Sequence, residues 1–380
     1  ISGKESIPVI DKKAYLKLYK EIYDKAVSST IMKKYHDLGT SGNVLPLNTL
    51  EALPTKNLQT SSFAEASSIS GENIAKNYLG RRVACAHCPT GCIHLAALRE
   101  PYLEEHYFYK TSMIAYDYEL LYALGSMLGI KSAEECLTLI DTVEVFCIDA
   151  MTTGVVLAWA TEMFEKKNIS LKETDGIKPQ WGNAAMYRKM VKRIITQPTE
   201  FYKAIAKGVD FASSKYGGKD FSMAFGKNEM AGYHTGPAAY LGFLIGARHS
   251  HLDNAGYSLD QSIMINEDPT PEKIVDKLIE EETLRQVLSS LTMCFFARGI
   301  YDIETISKAL KVIGISHSAK ELLQIGAKIY QQKFKFKFRE GFSFDKLHVP
   351  ERIFETKDPT GKLTKEFIRK GLEYANKKIL

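Results

Sequence analysis

The chain has 380 residues, 45% hydrophobic and 25% charged, with a formal net charge of +5. That is enough for two domains with cores of their own, and so mild a basic balance carries no nucleic-acid signature. No apolar run reaches membrane-spanning length, no secretory signal is visible, and the numbering opens at Ile1, as at a processed or truncated end.

Residues 11–34 place Tyr15, Leu16, Leu18, Tyr19, Ile22 and Tyr23 at helical spacing. A turn-rich stretch follows over 39–57, with Gly42-Asn43, Pro46 and Pro54. A short helix is predicted over 62–78, ending at Gly80. Next comes Cys85-Ala86-His87-Cys88-Pro89-Thr90-Gly91-Cys92, which holds three of the six cysteines. Clustered thiolates are soft metal ligands. A [4Fe–4S] cubane takes three such cysteines and a remote fourth. Structural zinc usually pairs one C-x2-C with a second short knuckle, and none is present. Free or disulfide thiols are the third alternative. Small cysteines are ordinary core filler, but that does not account for three in one loop. Six cysteines distributed this way suit a reducing cytoplasm.

The other cysteines are Cys136, Cys147 and Cys294. The first two lie in the apolar-periodic run 134–148 and read as core. Cys294 follows a long helical run and precedes Gly299, which makes it the best remote ligand of the three, though spacing alone leaves the choice open. Helices are predicted over 118–128 and 133–147, joined at Gly129, and over 152–167, apolar on most faces and therefore buried. Amphipathic helices follow over 181–197 and 200–215. Tyr216-Gly217-Gly218-Lys219 is the clearest linker and divides residues 1–216 from 217–380. Beyond it come a small apolar run over 238–247, a charged amphipathic helix over 271–288, and helices over 305–312 and 319–331. Phe334, Phe336 and Phe338 alternate with lysines and read as an extended connector. A solvated helix over 362–380 ends the chain. With few strand signals and no repeats, the fold class is mainly α, in two helical domains.

Several signatures are missing. There is no G-x-G-x-x-G after a strand and no Walker A loop, so neither common nucleotide-binding fold is supported. There is no G-x-S-x-G and no H-E-x-x-H. The paired histidines are His249 and His251, in Arg248-His249-Ser250-His251-Leu252-Asp253; such a pair is more often structural than catalytic.

Six separated stretches, in register, resemble the tungsten or molybdenum bis-pterin aldehyde:ferredoxin oxidoreductase family in its second and third domains. They are Ala52-Leu53-Pro54-Thr55-Lys56-Asn57, the cysteine loop, Ala115 to Gly129, Asp149-Ala150-Met151-Thr152-Thr153-Gly154, Ser289-Ser290-Leu291-Thr292-Met293-Cys294, and Arg339-Glu340-Gly341. The resemblance implies one [4Fe–4S] cluster on Cys85, Cys88, Cys92 and Cys294, beside a tungsten or molybdenum bis-pterin. It implies cofactor contacts from Asp149, Thr153, Gly154, Ser289, Leu291 and Arg82. Glu119, with Asp117 as its acidic neighbour, and His251 would serve proton transfer. The implied reaction oxidises a small aldehyde to a carboxylic acid, with electrons leaving to ferredoxin or another electron-transfer protein, and a homo-oligomer is compatible with it. The family's N-terminal β domain is not found before the first matched stretch, so another chain or a longer protein is expected to supply it.

Departures from the pattern stand at Ser289, where the family has aspartate, at Asp117, one methylene shorter than glutamate, and at Tyr233-His234-Thr235-Gly236-Pro237. A hydroxyl at 289 still hydrogen-bonds, but without the strength that charge adds. The alternative functions are a non-catalytic iron–sulfur electron-transfer or scaffold subunit, and a helical protein with a structural zinc. The substrate is not legible in the residues.

Overall fold

A computed structural model describes residues 8–102 and 107–379; Ile1 and Leu380, at the ends of the predicted elements, lie outside that range. The fold is mainly α, as the composition of its elements predicts, with small sheets only. Asp11 caps the helix Lys12–Ser28, and Ser29 caps the next, Thr30–Leu38, so residues 11–34 form two helices rather than one. Only Gly71–Asn77 of the predicted 62–78 segment is helical. The serines at 61, 62, 67, 68 and 70 offer the backbone local alternatives to a helix, and Ser70 starts the short one that forms.

One element went unread. An antiparallel sheet of β1 (Leu79–Val83), β2 (Ile93–Pro101) and β3 (Tyr109–Tyr116) follows, with β2 in the middle. His94, Ala96 and Leu98 are buried on one face of β2. The cysteine loop is the connection between β1 and β2, where Arg82 pairs with His94 and Val83 with Ile93.

The helix Ala150–Glu165 runs through the core and is buried on nearly every face, as its composition requires. Gly154 is where it meets the helix Tyr118–Ala123: a Cβ there would come within 2.2 Å of the Ala123 carbonyl oxygen. Glu162 on this helix is buried and paired with Arg352 at 2.6 Å, while Asn57 donates to the same carboxylate at 2.8 Å. Asn57 has φ +57°, between Lys56 at +46° and Leu58 at +57°. The Ala-Leu-Pro-Thr-Lys-Asn stretch is thus a node that ties early, middle and late segments together.

The predicted helix 200–215 is two, Glu200–Ile205 and Val209–Tyr216, broken at Gly208. A Cβ at Gly208 would meet the buried Glu229 carboxylate at 2.7 Å, in a left-handed conformation as well. One apolar core runs from Val44 to Ala375, past Gly217.

In the later part, Pro237–Ile245, Pro271–Ser290, Ala319–Arg339 and Lys365–Ile379 pack together. The connector predicted at Phe334, Phe336 and Phe338 is instead the last turns of the helix Ala319–Arg339. Leu322, Gly326, Tyr330 and Phe334 form its buried stripe, with Phe338 one step further on the same face. An alternation of three residues cannot outweigh a stripe of five positions. The terminal helix is not fully solvated either: Ile368, Gly371 and Ala375 are buried. No single helix among the described residues is long and apolar enough to cross a membrane.

Candidate functional site

The cysteine loop is short, largely exposed and turned twice through left-handed backbone, at His87 (φ +62°) and Gly91 (φ +59°). The His36 ring holds it by a contact of 2.6 Å to the Thr90 carbonyl. His94 lies with one ring nitrogen 3.1 Å from the Cys92 carbonyl and the other 3.0 Å from that of His36. Cys294 lies in the turn after the helix Pro271–Ser290, near enough for its charge to act on Cys92. Burial pushes the Cys92 thiol up, and charge on Cys294, Cys88 and Cys85 pushes it further. Cys294 and Cys88 act likewise on the Tyr301 hydroxyl. Cys136 is elsewhere, fully buried in the helix Ala133–Val145, where desolvation raises its thiol to about 12. Cys147, predicted to be core, is exposed because that helix ends at Val145 and the chain turns out at Cys147 with φ +54°.

Close by is a cavity of about 660 Å3 whose lining includes Cys92, Asp117, Glu119, Asp149 and His251. Asp117 caps the helix Tyr118–Ala123, accepting from the Leu120 amide at 3.0 Å. Glu119 is in the first turn of that helix. Ser250 caps the short helix His251–Asn254 in a capping box with Asp253. The two helix starts bring His251 Nε2 to 3.2 Å from Glu119 Oε1, with His251 buried and Glu119 largely so. Tyr233 donates its hydroxyl to the same oxygen at 2.8 Å. Burial raises the Glu119 carboxyl, but the His251 hydrogen bond and charge, with the Tyr233 hydroxyl, outweigh it and hold the group below its ordinary range. Asp117 moves the other way, to about 6, through burial first and then the charge of Glu119. A neighbouring pair of carboxyls pushed apart in this way suits proton exchange near neutral pH.

The two histidines have different surroundings. His249 Nδ1 is 2.9 Å from the Phe243 carbonyl and so donates; its Nε2 then accepts from Lys337 Nζ at 2.9 Å. Burial and the Lys337 charge hold its ring down at about 4. His251 is free of such ties: its Nδ1 is buried and makes no hydrogen bond within the chain.

The remaining predicted residues are more dispersed. Asp149 lines the cavity and caps the helix Ala150–Glu165, accepting from the Thr152 amide at 2.6 Å. The Thr153 hydroxyl is engaged with the Asp149 carbonyl at 2.6 Å, and Gly154 faces Ala123. Ser289 is exposed near the end of its helix, and Leu291 packs on a satellite apolar cluster. Arg82 is exposed on β1. Tyr233 and Tyr116 stood out in the sequence only as departures from the family pattern, and Tyr35, Tyr257 and Phe296 carried no site signal. Single aromatics in separate segments carry no shared spacing that would group them.

The donor set fits the groups that the resemblance implies. Cys85, Cys88 and Cys294 are near enough to Cys92 for their charge to act on its thiol, while among the described residues no three potential ligands close on a single ion. The cavity offers carboxylates, an imidazole nitrogen without a partner, and the Tyr116 hydroxyl, likewise buried and unpartnered.

Fold and site together define a helical chain that brings a cysteine-rich loop and a carboxylate–imidazole pair to one cavity. A family model described as aldehyde ferredoxin oxidoreductase, domains 2 and 3, matches residues 17–378. The chain belongs to that family. It is 27% identical over 378 residues to a tungsten-containing aldehyde ferredoxin oxidoreductase of Thermococcus kodakarensis, covering 95% of this chain and 60% of the relative. The like-named protein of Pyrococcus furiosus is 26% identical over 379 residues, with the same coverage. An aliphatic sulfonate oxidoreductase WOR-like subunit of P. furiosus is 27% identical over 218 residues, covering 56% of this chain and 33% of that one. The fold is similar to the BamBC active-site complex of benzoyl coenzyme A reductase, with a TM-score of 0.70 at 15% identity, over 97% of this chain and 62% of the other. The chain thus spans about three-fifths of the length of the tungsten-containing relatives.

Proposed function

We propose that this chain is the helical part of a tungsten- or molybdenum-dependent enzyme that oxidises an aldehyde to a carboxylic acid. The aldehyde and one water give the acid, two protons and two electrons. The observation that carries this reading is the buried Glu119–His251 pair, 3.2 Å apart, at a cavity that Cys92 also lines. The metal–pterin, when bound, supplies the two-electron chemistry. Asp149, which lines the cavity, would contact it, with Arg82, Thr153, Gly154, Ser289 and Leu291 as the other residues of the implied contact segments.

Glu119, held ionised, accepts a proton; Tyr233 fixes the orientation of its carboxylate; His251 relays the proton through its second nitrogen. Cys85, Cys88, Cys92 and Cys294 would hold a [4Fe–4S] cluster, the exit for the electrons toward ferredoxin or a similar protein. Residues 1–216 and 217–380 act in this scheme as two lobes, the first bearing the cysteine loop and Glu119, the second His251 and Cys294. A β domain, in the same protein or a partner chain, would complete the cofactor's surroundings.

A second reading, a non-catalytic iron–sulfur subunit, is favoured by the positions of Ser289 and Leu291 away from the cavity. Elemental analysis with an aldehyde-dependent dye-reduction assay separates the two. Tungsten or molybdenum together with iron, and turnover once the β domain is present, supports the first. Iron alone with no turnover supports the second.

A further inference from the structure

A second cavity, of about 350 Å3, adjoins the first. The two share one wall, made of Tyr35, Asn43, Tyr233, Leu252, Tyr257 and Phe296, and so are adjacent rooms. The rooms carry opposite charge. Asp117, Glu119, Glu144 and Asp149 line the inner one, with no lysine or arginine. Lys34, Arg285 and Arg298 line the outer one, with no carboxylate.

The outer cations are only partly compensated from behind. Glu281 meets Arg285 Nε at 2.8 Å and Arg298 Nε at 3.6 Å, so one carboxylate faces two guanidinium groups. Lys34 donates to the Asn43 amide oxygen at 3.1 Å. Three cations against one carboxylate leave a net positive room. Arg298 is half-buried, and one of its terminal nitrogens donates to the Phe295 carbonyl at 2.8 Å. The wall the rooms share is aromatic, and a flat ligand lying across it would span both: Tyr233 stacks on Tyr257 at 4.2 Å, and Tyr35 lies against Phe296 at 4.6 Å. The Tyr257 hydroxyl feels both the outer arginines and Glu119, as expected of a group standing between the rooms.

A ligand that fits this gradient is uncharged at its inner end, flat and apolar in the middle and anionic at its outer end. Buried guanidinium groups recognise carboxylate and phosphate alike, whereas the carboxylate-lined inner room disfavours an anion. We propose that the outer cavity is the subsite for an anionic group on the substrate, so that the preferred substrate is an aromatic or similarly flat aldehyde bearing a carboxylate or phosphate. This inference rests on the aldehyde-oxidising reading for the identity of the inner end.

Direct binding to the 380-residue chain tests it, with 4-formylbenzoate, 4-formylphenyl phosphate and the neutral methyl 4-formylbenzoate measured by calorimetry. At least one anionic probe should bind about tenfold tighter than the ester, the scale of one charge-assisted hydrogen bond. The tighter of the two anions names the group. Arg298→Gln should remove that preference while leaving ester binding unchanged, and Arg298→Lys should retain most of it. Equal affinity of ester and both anions, or an equal loss for ester and anion in Arg298→Gln, overturns the subsite. Turnover separates this inference from the functional reading beneath it. An anion preference in binding, with no aldehyde oxidation by the cofactor-loaded enzyme, sinks that reading and leaves the subsite. Oxidation of neutral aldehydes without any anion preference does the reverse.

Discussion

The cysteine loop and the Glu119–His251 cavity lie side by side, yet they are built differently. The loop is a mostly exposed connection between two strands, held by a few contacts from His36 and His94. The cavity pair is buried, starts two capped helices and is fixed by the Tyr233 hydroxyl. The cavity half is pre-organised by the chain's own packing. The cysteine half has little packing of its own, and ligands of that kind gain their order from the ion they bind. The contrast teaches that damage to the two regions should register differently: in metal retention and local order for one, in rate and pH dependence for the other.

The largest effect should come from the loop. Cys294→Ala should lose most of the bound iron, whereas Cys136→Ala, in a packed helix, should keep it. Iron removal should also expose residues 84–92 to proteolysis while helical circular dichroism stays constant, because the core from Val44 to Ala375 does not depend on the loop. Equal iron loss in both variants, or helical signal lost with the iron, would break the contrast.

Next in size is the histidine. In the cofactor-loaded enzyme, His251→Asn should lower turnover about a hundredfold, the low end for lost acid–base catalysis, with metal content unchanged. His249→Asn should do far less. His249 is held neutral beside Lys337, with both ring nitrogens occupied. Turnover normalised to bound metal decides it; a larger loss at His249 would transfer the role to the Lys337 side.

These two predictions drew on different kinds of legibility. The cysteine loop was open to direct reading as a candidate ligand set, because ligand chemistry depends on residue type and close spacing, and both are written in Cys85 to Cys92. His251 was not. Two residues separate it from His249, and only three-dimensional neighbours, Glu119 for one and Lys337 for the other, tell them apart. The resemblance chose His251, and the geometry sets that residue beside Glu119. Most helices were visible as apolar stripes, but local patterns misled at Phe334 to Phe338, where a three-residue alternation masked a longer helical stripe. The sheet was hidden because β2 carries His94, Arg99, Glu100 and Pro101, poor strand markers, and its burial comes from distant segments.

A smaller effect is expected at Asp117, and it sharpens the picture of a pre-built cavity at a cost in stability. Its carboxyl titrates at about 6 in the folded chain, against an ordinary value of 3.8. Between those values the native state binds more protons than the unfolded one. Stability therefore falls as pH rises through that window and remains lower above it. Asp117→Asn keeps a competent helix cap and removes the titration. The variant should be more stable than the parent by about 1–2 kcal/mol above pH 6, and the gain should vanish below about pH 4. Urea denaturation at the two pH values measures it. A pH-independent difference would mean that the side chain acts only as a cap.

The smallest and most specific effect belongs to Tyr233. Its ring is held by stacking on Tyr257 at 4.2 Å and by Tyr118 at 4.9 Å, so Tyr233→Phe should keep the packing and lose only the hydroxyl. That hydroxyl donates to Glu119 Oε1, the same oxygen that His251 approaches. A donor to a carboxylate favours its ionised form. Without it the Glu119 carboxyl rises, and a larger share is protonated, and so unable to accept a proton, at the acid end of the pH–rate profile. The acid limb should therefore move to higher pH, with turnover in acidic buffer reduced about tenfold, the scale of one hydrogen bond to a charged group. Part of the loss should be recovered in more alkaline buffer, where Glu119 is again ionised. If the rate falls equally at every pH, Tyr233 positions the carboxylate without tuning it. If neither the rate nor the limb changes, Glu119 is not the proton acceptor, and the buried pair is a structural link between two helix starts.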